Sequence, residues 1–273
     1  MKSFFDKWNR YKYRFVPWIA LNLKNRTARI VAAENKDKII PDDEVRDCLL
    51  RLLPQFCKNF SSGDSQEIAT KNLEAMTKIM GFAVERGPSS LSSRKVVGTG
   101  VFVRRGSVPK GSLVALYPGT IYRPYEPILL QSLGNPFIFR CLDGFLIDGK
   151  DTGISKAIYK SCVLRDRLGG LLTSDLSWLT KNCANPLNVG QYVNNQSKGA
   201  GCNVAYQEVD VPEDGSTFSL PLLGLLPNAF YSSNFADINF YNQRRKRRLI
   251  ALISVVDIPE NSEILSSYFT FVH

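Results

Sequence analysis

Between Asp42 and Phe56 apolar residues fall at Val45, Leu49, Leu52 and Leu53, the spacing of one helical face. Asp42, Asp43 and Glu44 stand in the first turn, where the helix dipole favours acids. This pattern predicts a helix. A second is predicted to open at Asp64, whose carboxylate can cap while Glu67 reciprocates, and to stop at Gly81. Its apolar positions Ile68, Met76, Ile79 and Met80 read as packing. From Lys95 the texture changes to short β-rich runs broken by Gly and Pro: VVGTGVFV, GSLVALYPG and FIFRCLDGFLID, the last carrying Asp143-Gly144 as a tight hairpin turn. Residues 155–190 lose the strand pattern and read as loop with short helix, and strand signals return in VAYQEV and RLIALISVV. The expected organisation is mainly β with α. A basic, mostly helical N-terminal region covers 1–90, GPSS (Gly87 to Ser90) is its hinge, and a β-rich domain covers 91–273 with an inserted segment around 120–190.

The 273 residues, 44% apolar, suffice to bury one large core. Against 25 Asp plus Glu stand 35 Lys plus Arg, and the resulting +10 favours an anionic partner, a basic-patch contact or an organelle address without naming one. Residues 1–33 hold eight Lys or Arg and a single acid, Asp6, interleaved with Trp8, Tyr11, Tyr13, Phe15 and Trp18. The apolar run Phe15 to Leu23 is broken by Pro17 and too short to span a bilayer, so no membrane partner is expected. The segment reads as rings docking on the domain, with mitochondrial targeting as the alternative.

Six scattered cysteines without a CxxC pair, and no cleavable leader ahead of them, read as thiols of a reducing compartment. An intracellular protein, nuclear or cytoplasmic, is expected, with no metal site. The single histidine is His273, which argues against Ser-His-Asp and Cys-His schemes and against histidine-ligated metals.

Gly98-Thr99-Gly100 follows a strand, yet no third glycine stands at dinucleotide spacing and extended residues come next. Gly106 to Gly111 has the spacing of a phosphate loop, but Ser112 replaces its lysine. Both nucleotide readings fail, leaving a glycine pair that exposes backbone groups to a small polar ligand, or a simple turn. QYVNNQSKGAGCNVAYQ, residues 191–207, is either a surface loop or a polar clamp built of Asn side chains. The run Arg244 to Arg248 reads as a solvated hairpin loop, with a nucleic-acid contact as the alternative.

Taken in order, the glycine pair, Leu113 to Gly119 with its Tyr-x-Gly ending, the Asn-rich stretch and Pro259 to Phe271 resemble the SET domain of S-adenosylmethionine-dependent protein lysine methyltransferases. The resemblance covers about residues 95–271. It implies small curved β-sheets with a knot-like C-terminal crossing that brings the asparagine segment to the terminal tyrosine. It further implies that Asn194, assisted by the backbone of Asn195, holds S-adenosylmethionine, and that Thr99 and Gly100 offer main-chain contacts. Tyr268 would be the catalytic tyrosine at the pore, also touching the cofactor. Tyr206, Phe269 and Phe271 would wall the substrate channel, with Tyr206 at the catalytic position that controls methylation degree; an outward-facing strand tyrosine is the alternative there. The implied partner is a protein or peptide bearing a lysine.

Such chemistry needs no histidine, because a sulfonium methyl is already electrophilic and needs only an aligned neutral amine. A lysine of ordinary pKa about 10.4 is brought toward neutrality by a nearby positive sulfonium and a dry aromatic channel. The chain also departs from the family. Asn195 replaces the usual histidine, Ser197 and Cys202 replace a cysteine and a proline, and the turn before Asn203 is long. No cysteine-rich tail follows Tyr268, so the far channel wall is expected from Ser155 to Asn188, the helical preface or a partner. A catalytically inactive module that binds a basic peptide or protein is the alternative function, and a nucleic-acid-associated factor is a third.

Overall fold

The computed structural model describes residues 11–13, 28–31, 38–60, 63–89, 98–195, 201–232, 246–266 and 269–272. Helix α1 (Asp42–Asn59) buries Val45, Leu49, Leu52, Leu53 and Phe56, the face its periodicity requires, and carries acids through its first turn. Each fully buried Leu or Phe contributes roughly 1.5–3 kcal/mol, which makes this face the main attachment of the helix. Helix α2 (Ser65–Met80) begins as expected: the Asp64 carboxylate accepts from Gln66 N and Glu67 N at 2.8 and 2.9 Å. The Glu67 carboxylate lies against Gly63. Gly81 ends the helix in the left-handed region at φ 79°, its N–H returning to Thr77 O. Asn72, fully buried on α2, accepts from Asn59 of α1 and donates to Ala184 O at 2.6 Å, which ties both helices to the chain around 184.

The largest sheet orders its strands as β3 (Ala83–Pro88), β4 (Thr99–Arg105), β13 (Glu263–Ser266), β10 (Val204–Pro212), β12 (Lys246–Ser254) and β5 (Leu113–Leu116), with β9 (Asn194–Asn195) also pairing β13. A second sheet orders β11 (Asn228–Phe230), β6 (Gly119–Tyr122), β8 (Leu146–Asp148) and β7 (Ile138–Arg140). Its β6 starts at Gly119, where φ is 146° and a Cβ would come within 2.3 Å of Asp148 O, so only glycine fits. The third sheet sets β14 (Phe269–Val272) between β1 (Tyr11–Tyr13) and β2 (Ala28–Val31). One hydrophobic core joins α1, α2 and the two larger sheets. A smaller core forms where helix α4 (Gly153–Arg165), which follows the one-turn α3 (Leu129–Ser132), packs Tyr159 and Cys162 with Trp178. Among the described residues no helix is long and apolar enough to cross a membrane.

Two local expectations are corrected and two hold. Gly87 and Pro88 are not a hinge: they pair with Gly100 and Thr99 and finish β3. Asp143-Gly144 does lie in a tight hairpin turn: β7 and β8 pair antiparallel through Arg140 and Leu146, and the connection is closed by Gly144 N donating to Cys141 O and Cys141 N donating to Phe145 O. The basic run is not a solvated loop in its described part. Lys246, Arg247 and Arg248 belong to β12, and the side chain of Arg247 is buried against Glu213. Arg244 and Arg245 lie outside the described residues. The stretch expected to be loop with short helix is that: α4 runs to Arg165, and single turns at Ser177–Leu179 and Gly190–Tyr192 stand among loop.

Candidate functional site

β13 lies with β4 on one edge, Glu263 opposite Phe102 and Ile264 opposite Val101, and with β9 on the other, Leu265 beside Asn194 and Ser266 beside Asn195. This register brings the Asn194 amide to the Glu263 carboxylate. Asn194 Nδ2 donates to Thr99 O at 2.9 Å, Ser89 Oγ at 3.1 Å and Glu263 Oε1 at 3.1 Å, and Ser89 Oγ donates to the same carboxylate oxygen at 2.6 Å. A Cβ on Gly100 would lie 2.4 Å from Glu263 Oε1, so the missing side chain is what admits the carboxylate. Thr99, Gly100, Asn194 and Asn195, far apart in sequence, therefore meet at one end of β13. Sequence reasoning did not assign Ser89 to this cluster, because it sits in a Gly-Pro-Ser-Ser stretch that carries a turn signal and nothing else.

Asn203 also reaches β13 despite the long turn before it, of which residues 196–200, Ser197 included, lie outside the described residues. Tyr206 faces inward. Its side chain is 2% exposed, its hydroxyl lies 3.0 Å from Ser266 Oγ, and its ring meets Phe139 and Tyr117 at centroid distances of 5.1 and 6.4 Å. The outward-facing alternative is thereby excluded. Phe269 and Phe271 lie on β14, and Tyr268 lies outside the described residues, between Ser266 and Phe269.

Beside Thr99 opens a cleft of about 490 Å³. Gln66, Thr70 and Leu73 of α2 form one side and Asn182, Pro186 and Val189 the other, so the helical preface and the end of the inserted segment both supply its walls. Arg86 crosses its floor, donating to Thr180 O and Lys181 O at 2.6 and 2.8 Å. Its guanidinium lies over the Tyr192 ring, 5.1 Å from the centroid, a cation–π arrangement. The Tyr192 hydroxyl donates to Asp151. Burial, then the Asp151 carboxylate, push the Tyr192 phenol up to about 12, so it holds its proton through neutral pH. Neither Arg86 nor Tyr192 was singled out from sequence, though Tyr192 stands two residues before Asn194.

No family model matches the chain. It is 44% identical to SET domain-containing protein 9 of Homo sapiens over 307 aligned positions, covering 100% of this chain and 98% of that one. With SET domain-containing protein 9 of Pongo abelii it shares 42% identity over 279 positions, covering 90% and 97%. Among solved structures, a Plasmodium falciparum chain named as a candidate histone methyltransferase superposes with TM-score 0.32 at 13% identity, covering 68% of this chain and 96% of that one. CpSET8 of Cryptosporidium superposes with TM-score 0.34 at 11% identity, covering 98% and 90%. Superpositions this weak add nothing to the identities. On 44% identity along its whole length, the chain belongs to the SET-domain family, beside SET domain-containing protein 9.

Proposed function

We propose that the chain transfers a methyl group from S-adenosylmethionine to a protein side chain, with a lysine amine as acceptor. The observation that carries this reading is the meeting of Thr99, Asn194 and Glu263 at the strand that leads, two residues after Ser266, to Tyr268. The residues present fit the cofactor. A cleft of about 490 Å³ lies within the range of small-molecule sites. Arg86 and Lys181 suit a carboxylate, and Val84, Leu73 and Val189 offer apolar wall to a flat ring. When bound, the cofactor supplies an activated methyl group on a sulfonium.

The chain's own residues would do the rest. The Thr99 edge, held by Asn194, orients the cofactor through main-chain groups. Asn194 Oδ1 makes no hydrogen bond among the described residues and is free to accept one from a ligand. Asn194 Nδ2, by contrast, is engaged within the protein, so its part is to hold the site's shape. Tyr268 would align the acceptor amine, and the cluster of Tyr206, Phe139 and Tyr117 keeps water from the strand behind it. Tyr192, protonated and fixed by Asp151 and Arg86, stiffens the cleft beside Thr99.

Transfer of labelled methyl from S-adenosylmethionine to proteins of a cell extract tests this reading. Tyr268→Phe should slow labelling on the order of 100-fold, the usual cost of one aligned hydroxyl. Labelling that is absent, or indifferent to this change, overturns the proposal in favour of an inactive binding module.

A further inference from the structure

Of the ten large apolar side chains exposed among the described residues, eight fall between positions 125 and 171. Tyr125, Leu129, Leu130 and Leu133 are 63% to 79% exposed, and Ile154, Leu164, Leu168 and Leu171 45% to 50%. Apolar residues scattered singly over a surface need no explanation, whereas a contiguous group marks a contact. These are contiguous. Asn135 Nδ2 lies 3.4 Å from Ser155 Oγ at the start of α4, and Glu126 stands beside Cys162 near its end, so the chain from 126 to 135, α3 included, runs antiparallel along that helix. The two meet again at Phe230, whose ring lies under Arg123 and whose carbonyl accepts from Arg165. α4 buries Ser155, Tyr159, Cys162 and Val163. Its opposite side carries Ile154, Ala157, Ser161 and Leu164 at spacings of three and four, all exposed, a stripe about 15 Å long.

The charges around this face are of one sign. Glu126 is held by Arg123 and Asp166 by Arg165, while Lys160, next to Ser161, and Arg167, next to Leu168, are exposed and make no ion pair among the described residues. We propose that the outer face of α3 and α4 docks an amphipathic acidic helix of another protein, its apolar side on the leucines and its Asp or Glu residues toward Lys160 and Arg167. The stripe offers a helix about three turns of contact, and ridges at three- and four-residue spacing suit helix-on-helix packing. A second copy of the chain fits worse, because each copy has net charge +10 and would set cation against cation. An anionic bilayer fits worse too, since recognition of that kind takes clusters of about four to eight basic residues and this face has two that are unpaired.

Two fluorescein-labelled peptides of about 15 residues test the proposal against the full chain by anisotropy. Both carry Leu at spacings of three and four; one has Glu at the positions between, the other Lys. The Glu peptide should bind at least about tenfold tighter at low salt, with the gap closing as salt is raised. Leu130→Ser with Leu133→Ser, or Ile154→Ser with Leu164→Ser, should weaken it about tenfold, with thermal melts followed by circular dichroism unchanged because these side chains already face water. Val256→Ser, exposed elsewhere, should leave binding as it is. Lys160→Glu with Arg167→Glu should abolish the preference for Glu over Lys. Equal binding of the two peptides, or none by about 0.2 mM, overturns the proposal, as does binding indifferent to the leucine changes. Cosedimentation with phosphatidylserine vesicles, or a dimer in sedimentation velocity, that these leucine changes abolish while neither peptide binds would give the face to a membrane or to a second copy instead.

Discussion

Asn203 pairs with Leu265 as though its side chain were a second peptide unit. The Asn203 backbone N–H donates to Leu265 O at 2.9 Å, while Leu265 N donates to Asn203 Oδ1 at 2.8 Å and Asn203 Nδ2 donates to Glu263 O at 2.9 Å. Asn203→Ala removes the side-chain hydrogen bonds to Leu265 N and Glu263 O of β13, at about 1–3 kcal/mol for each. We expect a loss of about 2–4 kcal/mol in urea unfolding. Asn203→Asp keeps the acceptor for Leu265 N but sets an anion against Glu263 O, so it should rescue less than half of that. A loss under about 1 kcal/mol for the alanine variant would mean that solvent replaces the amide.

Gly100 and Glu263 are coupled by space. Because an added Cβ would come 2.4 Å from Glu263 Oε1, Gly100→Ala must displace the carboxylate that Ser89 and Asn194 share. Overpacking of this kind costs typically about 1–3 kcal/mol, and cofactor affinity measured by equilibrium dialysis should fall with it. Glu263→Ala removes the obstacle. In a double-mutant cycle the Gly100→Ala cost should shrink by at least about 1 kcal/mol in the Glu263→Ala background; strictly additive costs would refute the coupling.

How much of this was legible in sequence differs by element. α1 and α2 announced themselves because periodicity and caps are local, and Asp64 and Gly81 act within a few residues of themselves. The meeting of Thr99 with Asn194 was legible only through resemblance, since a contact between residues 95 apart leaves no mark on spacing. Arg248 was read as solvated because its partners come from the β7–β8 connection and from β10, whose alignment with β12 no short window contains. The strands at Tyr11–Tyr13 and Ala28–Val31 are three and four residues long, too short for alternation to stand out among basic and aromatic neighbours. Gly87-Pro88 carried a turn signal that pairing with β4 overrode.

Arg248 joins three carboxylates. Its Nε bonds Asp210 at 2.7 Å, Nη1 bonds Glu208 at 2.7 Å and Nη2 bonds Asp143 at 2.8 Å, with the guanidinium over the Phe145 ring. Asp143 and Asp210 are more than a third exposed, so water screens them, whereas Glu208 is nearly buried. Arg248→Met should therefore cost less than the 3–5 kcal/mol of a broken buried pair, about 2–3 kcal/mol, most of it through Glu208. Adding Glu208→Gln should recover at least about 1 kcal/mol. Calorimetry of the two variants checks this; no recovery would assign the loss to Phe145 packing.

Asp175 gives the stability an acid-side slope. Its carboxylate, 4% exposed, accepts from Ser177 N and Asn188 Nδ2 at 2.7 Å each, beside the half-buried Cys183 thiol and the segment that walls the cleft. Burial raises it from 3.8 to about 6, outweighing the hydrogen bonds that lower it. Below pH 3.8 the group is protonated in folded and unfolded chains alike. As pH climbs from there toward 6, the unfolded chain releases its proton first, so stability falls and the loss is complete above the folded pKa. A shift of about two units corresponds to a loss on the order of 3 kcal/mol. Asp175→Asn removes the titration but sets two amide NH₂ groups against each other at Asn188, whose Nδ2 is also held by Leu225 O. Its absolute stability is therefore lower at acid pH, while its curve lacks this slope. Urea unfolding of both proteins from pH 3.5 to 7 should show the wild-type advantage shrinking by about 3 kcal/mol over that interval. Parallel curves would mean that Asp175 ionises as freely in the folded chain as in the unfolded one.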